Sequence, residues 1–204
     1  GMLRDSGDVR GEVETLHRLG SVYMSTGNPS AAESLAGELL NKSRAMGCMW
    51  QEARSLRFHA TWAMETGDFD LAESDLKRAM EYADRIEKPM LSMAVNGALG
   101  TLYKDLGRLD ESVELHEAGI QLSRAVGSRK LESILMGNLA LVLQLQGKMK
   151  EAATMYEDTI QLDADRGTTT IGHLARGNLG DLLLSIGDID ESIQRLGAGD
   201  GSGW

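Results

Sequence analysis

The chain has 204 residues, enough for one ordinary domain or a short repeat array, with 42% hydrophobic residues to build a core and 25% charged. Two prolines and few aromatics (3 Trp, 4 Tyr, 2 Phe) disfavour a β-sandwich, and a net charge of −10 argues against nucleic acid or an anionic membrane as partner. The single cysteine, Cys48, excludes an internal disulfide and a zinc cluster; with no transmembrane-length apolar run and no signal-peptide pattern, the expected location is the cytoplasm.

In chain order, Gly1 before Met2 reads as an expression remnant. The stretch "LRDSGDVRGE" at 3–12 matches the junction "SRAVGSRKLE" at 123–132, so residues 1–8 read as the remnant of a preceding junction. Leu16, Leu19, Val22 and Tyr23 then recur at helical spacing up to Gly27. Asn28-Pro29 supplies a cap and a first-turn proline for a second helix, which runs to Gly47. The same sentence repeats every forty residues. Gly27, Gly67, Gly107, Gly147 and Gly187 close first helices, and Gly47, Gly127 and Gly167 close second ones, with Glu87 in the equivalent place. Asp70 with Glu73 forms a capping-box-like pair, and Asp110 and Asp190 take the place of Asp70 in later units.

Several columns agree in this register. Seven residues before each first-helix glycine the residue is small (Gly20, Ala60, Gly100, Ala140, Gly180), and five after it is small again (Ala32, Ala72, Ser112, Ala152, Ser192). Small residues at both places let the two helices of a hairpin approach closely. The period predicts an all-α fold: an α-solenoid of about five antiparallel helix-turn-helix units, 9–47, 48–87, 88–127, 128–167 and 168–197. They form one array over 9–197, and the glycine-rich 198–204 is a flexible tail.

Leu16, Leu19, Gly20, Tyr23, Gly27 and Ala32, and again Leu99, Gly100, Tyr103 and Gly107, resemble the tetratricopeptide-repeat signature. The usual repeat has about 34 residues. The forty-residue spacing with "GNLA" at 137–140 and "GNLG" at 177–180 is similar to the long variant of cell-polarity adaptors, kinesin light chains and bacterial signalling proteins. The first-helix tryptophan and the unit-ending proline of the family are missing. The resemblance implies a right-handed superhelix whose first helices line a concave groove suited to a peptide.

No motif for chemistry assembles. "GNLG" lacks the strand and the glycine run of a phosphate loop. His17, His59, His116 and His173 lack zinc spacing, and "DADRG" at 163–167 lacks the ligands of a calcium loop. The expectation is a chain that is not an enzyme and needs no cofactor or metal.

The groove positions are His17, Arg18, Ser21 and Met24; Arg54, Arg57, Phe58, Thr61 and Met64; Gly97, Ala98, Thr101 and Lys104; Gly137, Asn138, Leu141 and Gln144; and Gly177, Asn178, Asp181 and Leu184. The resemblance implies that Asn138 and Asn178 hydrogen-bond a ligand main chain. An amide offers donors and an acceptor together, though both could instead be solvated or bridge neighbouring helices. Arg18, Arg54 and Arg57 suit carboxylates, so an acidic peptide or protein segment is the expected partner, unless Glu14 and Glu65 already hold this basic face. Two other readings stand beside this one. The chain could self-associate into a homo-oligomer through uncapped ends, or it could be an effector-sensing segment of a larger bacterial signalling protein.

Overall fold

The computed structural model describes residues 9–25, 29–165, 167 and 170–187, with residues 21, 24, 25, 29, 30 and 32 described in their backbone alone. The expected junction at 1–8, the turn at Gly27-Asn28, and the last second helix and tail therefore lie outside the described residues. Within them the chain is helical throughout: α1 (Val9–Ser25), α2 (Pro29–Ala45), α3 (Met49–Thr66), α4 (Phe69–Arg85), α5 (Pro89–Asp105), α6 (Leu109–Ala125), α7 (Arg129–Leu145), α8 (Met149–Asp165) and α9 (Thr170–Ser185). The fold is an α-solenoid of antiparallel helical hairpins.

The turns show why the glycines recur. At Gly67 the backbone turns left-handed (φ 82°), the Gly67 amide donates to the Met64 carbonyl at 3.1 Å and the Asp68 amide to that of Ala63 at 2.8 Å. This closing motif satisfies carbonyls that a helix end otherwise strands. It returns at Gly107, Gly127 and Gly147. At Glu87 the same bonds form although the residue carries a side chain, with φ at 48°. The start signal is displaced from its expected place: α4 is capped by Asp68, whose side chain accepts from the Leu71 amide at 3.1 Å, and Asp70 sits in the first turn. The turn is so short that the residue after the left-handed glycine is already the cap, which puts Asp70 and Asp110 inside their helices.

The chain divides into two compact units, Gly1–Leu102 and Tyr103–Trp204. In the first, α1 packs on α2, α2 on α3 and α3 on α4, and α1 also meets α3. Val13, Leu16, Leu35, Ala36, Leu39 and Phe58 form a core here, with Tyr23, Met46 and Trp62 packed against it. In the second, α6 packs on α7, α7 on α8 and α8 on α9, with α7 also meeting α9. Its core includes Leu135, Met136, Leu139, Leu143, Tyr156, Leu179, Leu182 and Leu183. The small columns are buried: Ala60, Ala72, Ala140 and Ala152 have no exposed surface.

Two glycines test the packing argument in opposite directions. A Cβ on Gly20 would lie 2.7 Å from Phe58 Cε2, nearer still to Cζ, and 3.1 Å from Leu35 Cδ2; on Gly177 it would meet nothing within 4 Å. Gly20→Ala is expected to destabilise by about 1–3 kcal/mol, and Gly177→Ala to stabilise by about 0.5–1 kcal/mol. Urea midpoints measure both.

His116 on α6 generates a second prediction. Its ring is fully buried and neither nitrogen has a hydrogen-bond partner. Burial, assisted by the Lys104 charge, pushes its pKa down to about 4. The folded value lies below the unfolded one, so the unfolded chain takes up the proton first. Stability from the neutral ring is complete above about pH 6.5 and is lost as pH falls from there toward 4. In the same column the preceding hairpin carries Leu76. Between pH 7.5 and pH 5, His116→Leu is expected to lose about 2 kcal/mol less stability than the wild-type chain.

Candidate functional site

In the first unit the candidate residues come from α1 and α3. Glu14, His17 and Arg18 lie three and four residues apart on α1, and Arg54 and Arg57 lie one turn apart on α3, so each set shares a face. Glu14 joins the two helices. Its Oε2 accepts from Arg54 Nη1 at 2.8 Å, and its Oε1 lies 4.0 Å from Arg18 Nε. The Arg54 bond holds the Glu14 carboxyl below the usual range. Arg54 Nη1 also reaches Gln51 Oε1 at 3.4 Å, and the guanidinium stands 5.8 Å from the Trp50 ring centre. The Arg18 side chain is 82% exposed, which makes its contact with Glu14 a weak one. Arg57 is half-buried; burial and then the Arg54 charge push its pKa down.

His17 is not on the open face where the sequence placed it; it is only 8% exposed. Its Nε2 lies 3.2 Å from Ser55 Oγ, which lies 2.6 Å from Ser43 Oγ, and Ser43 donates to the Leu39 carbonyl at 2.7 Å. Burial first, then Arg54, lowers the His17 pKa to about 4, so the ring is neutral near pH 7. Phe58 is also not a groove residue: it is 8% exposed in the core beside Gly20 and meets the His17 ring edge-on at 6.3 Å. With no Cβ at Gly20, the space it leaves is filled by this ring. Thr101 on α5 is half-buried and spends its hydroxyl on its own helix, donating to the Gly97 carbonyl at 2.9 Å. Ser21 and Met24 lie outside the described side chains.

In the second unit α7 contributes Asn138, Leu141 and Gln144, all half-buried, and the neighbouring α9 contributes exposed Asn178, Asp181 and Leu184. Beneath them lies Tyr156 of α8, fully buried, whose hydroxyl donates to Gln144 Oε1 at 3.2 Å. Burial pushes the phenol up to about 12, against the opposing influence of the neighbouring Asn178 side chain. Next to Asn178, Gly177 leaves open space at the backbone.

Sequence reasoning missed Tyr156, Gln51 and Trp50, and it weighed Glu14 only as a possible neighbour of the arginines. The signal for Glu14 was present, because Glu14 and Arg54 are forty residues apart and so occupy one column of adjacent hairpins. It also missed Asp163, whose carboxylate is 1% exposed and accepts from the Gly172 amide at 2.9 Å, in the first turn of α9. The acidic run at 163–167 is explained by that bond. Among the described residues no group of three His, Cys, Asp or Glu side chains is placed to hold a metal, and no helix is long and apolar enough to cross a membrane.

Helical hairpins stacked in sequence, closed by left-handed glycines and joined through small residues, define a repeat protein. Residues 90–165 match the family model of the tetratricopeptide repeat. The solved structures it resembles extend that fold to nearly the whole chain. One is BtubC (BKLC) from P. vanneervenii, with 21% identity over 84% of this chain and 73% of that one, and a TM-score of 0.72. A putative kinesin light chain of Podosopora anserina with nearly identical TPR-like repeats matches at 17% identity, 92% of this chain, 93% of that one and a TM-score of 0.72. A Rap protein solved in complex with Competence and Sporulation Factor matches at 12% identity over 97% of this chain and 57% of that one, with a TM-score of 0.81. The Rap conjugation gene regulator of plasmid pLS20, solved with the Phr* peptide, matches at 16% identity, 95% and 54%, with a TM-score of 0.77. No curated protein sequence matches the chain.

Proposed function

We propose that this chain is a non-enzymatic cytoplasmic scaffold that binds a peptide or protein segment along the groove-facing sides of its first helices. The observation that carries this reading is the exposed Asn178 amide beside the open backbone at Gly177, where a peptide unit could come close. Asn138 and Leu141 on α7 and Asp181 on α9 extend the contact surface in the second unit. In the first unit Arg18, Arg54, Arg57 and Thr101 do so, with the arginines favouring an acidic segment. The two Rap structures, solved with a factor and with a peptide, support a peptide as the kind of ligand such a fold accepts.

A second reading, self-association, is supported at α1. Leu19 is 38% and Val22 52% exposed, whereas their counterparts Leu99 and Leu102, Leu139 and Val142, and Leu179 and Leu182 are all buried. An apolar face that the array covers elsewhere is open here.

Affinity capture from lysate of the native host separates the two readings, comparing wild type with the Asn138→Ala/Asn178→Ala double variant after circular dichroism has shown both folded. Partners present with wild type and lost with the variant are expected. Identical captures, or capture of the protein alone, would reject the asparagine site in favour of self-association.

A further inference from the structure

We propose that His59 and Asp75 form a polar lock that fixes how α4 is rolled about its own axis against α3. The device belongs to one hairpin and is independent of what the first-helix faces bind.

Both partners are exchanged together. The column of His59 holds Leu19, Leu99, Leu139 and Leu179, and that of Asp75 holds Leu35, Leu115 and Met155 in the other described hairpins. Only here do an imidazole and a carboxylate stand where apolar side chains face each other elsewhere. The structure brings them into contact: His59 Nδ1 lies 2.5 Å from Asp75 Oδ2, with both side chains largely buried. The Trp62 ring stands 5.3 Å from the imidazole at an angle of 37°. Trp62 in turn packs against the core of α1 and α2, and its column otherwise holds Val22, Leu102, Val142 and Leu182. The imidazole is therefore held both by α4 and by a bulky neighbour anchored in the preceding hairpin.

The seam around the pair adds an independent observation. The buried face of α4 is Ala72, Asp75, Leu76, Ala79 and Ala83, and α3 contributes fully buried Ala60 and Ala63. Where α3 has Ala63, the other first helices carry Tyr23, Tyr103, Leu143 and Leu183. Alanine packs closely but offers no knob for a matching hole, so α4 keeps nearly the same contacts over a range of roll angles. The short turn at Gly67-Asp68 limits sliding of α4 along α3 and leaves this rotation open. A hydrogen-bonded pair is directional where alanine is not. Rolling Asp75 away from His59 would strand two polar groups in an apolar seam, which is costly. The pair thus selects one arrangement without having to add net stability, since a well-packed apolar pair can be as favourable as a buried polar one. A second polar contact between the same helices, Glu52 Oε1 to Arg78 Nη2 at 3.2 Å, is a looser guide. The long Arg78 side chain is half-exposed, and Glu52 also serves Arg44.

The test is a double-mutant cycle in the full chain, with His59→Leu, Asp75→Leu and the two combined. It is read by thermal melting and by the methyl NMR signals of Ala72, Ala79 and Ala83. Each single variant strands one partner and is expected to lower the melting temperature by several degrees. The double variant, which restores the leucine pair of other hairpins, is expected to recover most or all of that loss. Its three alanine methyl signals should nevertheless broaden or split, and the α4 amides should exchange with solvent several-fold faster than in the wild-type chain. Gly20→Ala serves as the control for lost stability: it strains packing at α1 and should leave the same methyl signals single. Sharp, single methyl signals in the double variant would overturn the lock, as would equal broadening in Gly20→Ala. Single-variant losses that merely add in the double variant would show that His59 and Asp75 do not act as a pair, and would overturn it as well.

Discussion

Everything in this chain depends on how closely two helices can approach where a small residue faces a small residue. Ala60, Ala72, Ala140 and Ala152 are fully buried at the hairpin columns, and Gly20 is buried against the Phe58 ring. Because the backbones come this near, side chains on either side of the column reach across and interlock, and each hairpin gains a core without a sheet or a disulfide. The closing glycines serve the same end. A left-handed residue reverses the chain within a few atoms, so the second helix starts beside the first and the small columns stay in register.

The polar contacts are organised by this frame. Arg44 Nε reaches Glu52 Oε1 at 3.3 Å, and Arg124 Nε reaches Glu132 Oε1 at 2.6 Å, so one ion pair across a closing turn recurs eighty residues on. Between those positions the chain has Asp84 and Ser92, which make no such pair, and beyond them Ala164 and Gly172. In the last case the Asp163 carboxylate replaces the ion pair with a bond to the Gly172 amide. A turn that must be fastened is fastened by whatever polar group its column holds.

The frame was legible in the sequence because it repeats. Gly67, Gly107 and Gly147, and the small columns on either side of them, can be recognised by position alone, and the structure puts each where the period requires. Single exchanges within a column were harder to read. Phe58 occupies a column of Arg18, Ala98, Asn138 and Asn178, so its neighbours suggested an open face, yet the empty volume over Gly20 draws the ring inward. His17 precedes the glycines of its column and turns inward to a serine pair that periodicity does not reveal, since Ser43 and Ser55 belong to different columns. Asp68 was passed over as a cap because Asp70 shares its column with Asp110 and Asp190. What repeats is visible at a distance; what happens once has to be found by geometry.

The two units differ in how they order their surface groups. In the first, charges are set by a carboxylate strut between α1 and α3, which salt weakens and low pH removes. In the second, the neutral Tyr156 hydroxyl bonds the Gln144 amide on α7, and ionises only at about pH 12.

The packing order also has a consequence for how the chain acquires its structure. Within each unit every helix meets partners at most two steps away, α1 with α2 and α3, and α7 with α8 and α9. Among the described residues no contact inside a unit waits on a distant segment, so the entropy of closing long loops is small and local order can grow from any of these hairpins. During synthesis the first unit has all of its own packing partners as soon as Leu102 has emerged. A nascent chain built this way conceals its apolar faces hairpin by hairpin, so little greasy surface is exposed to its neighbours at any moment.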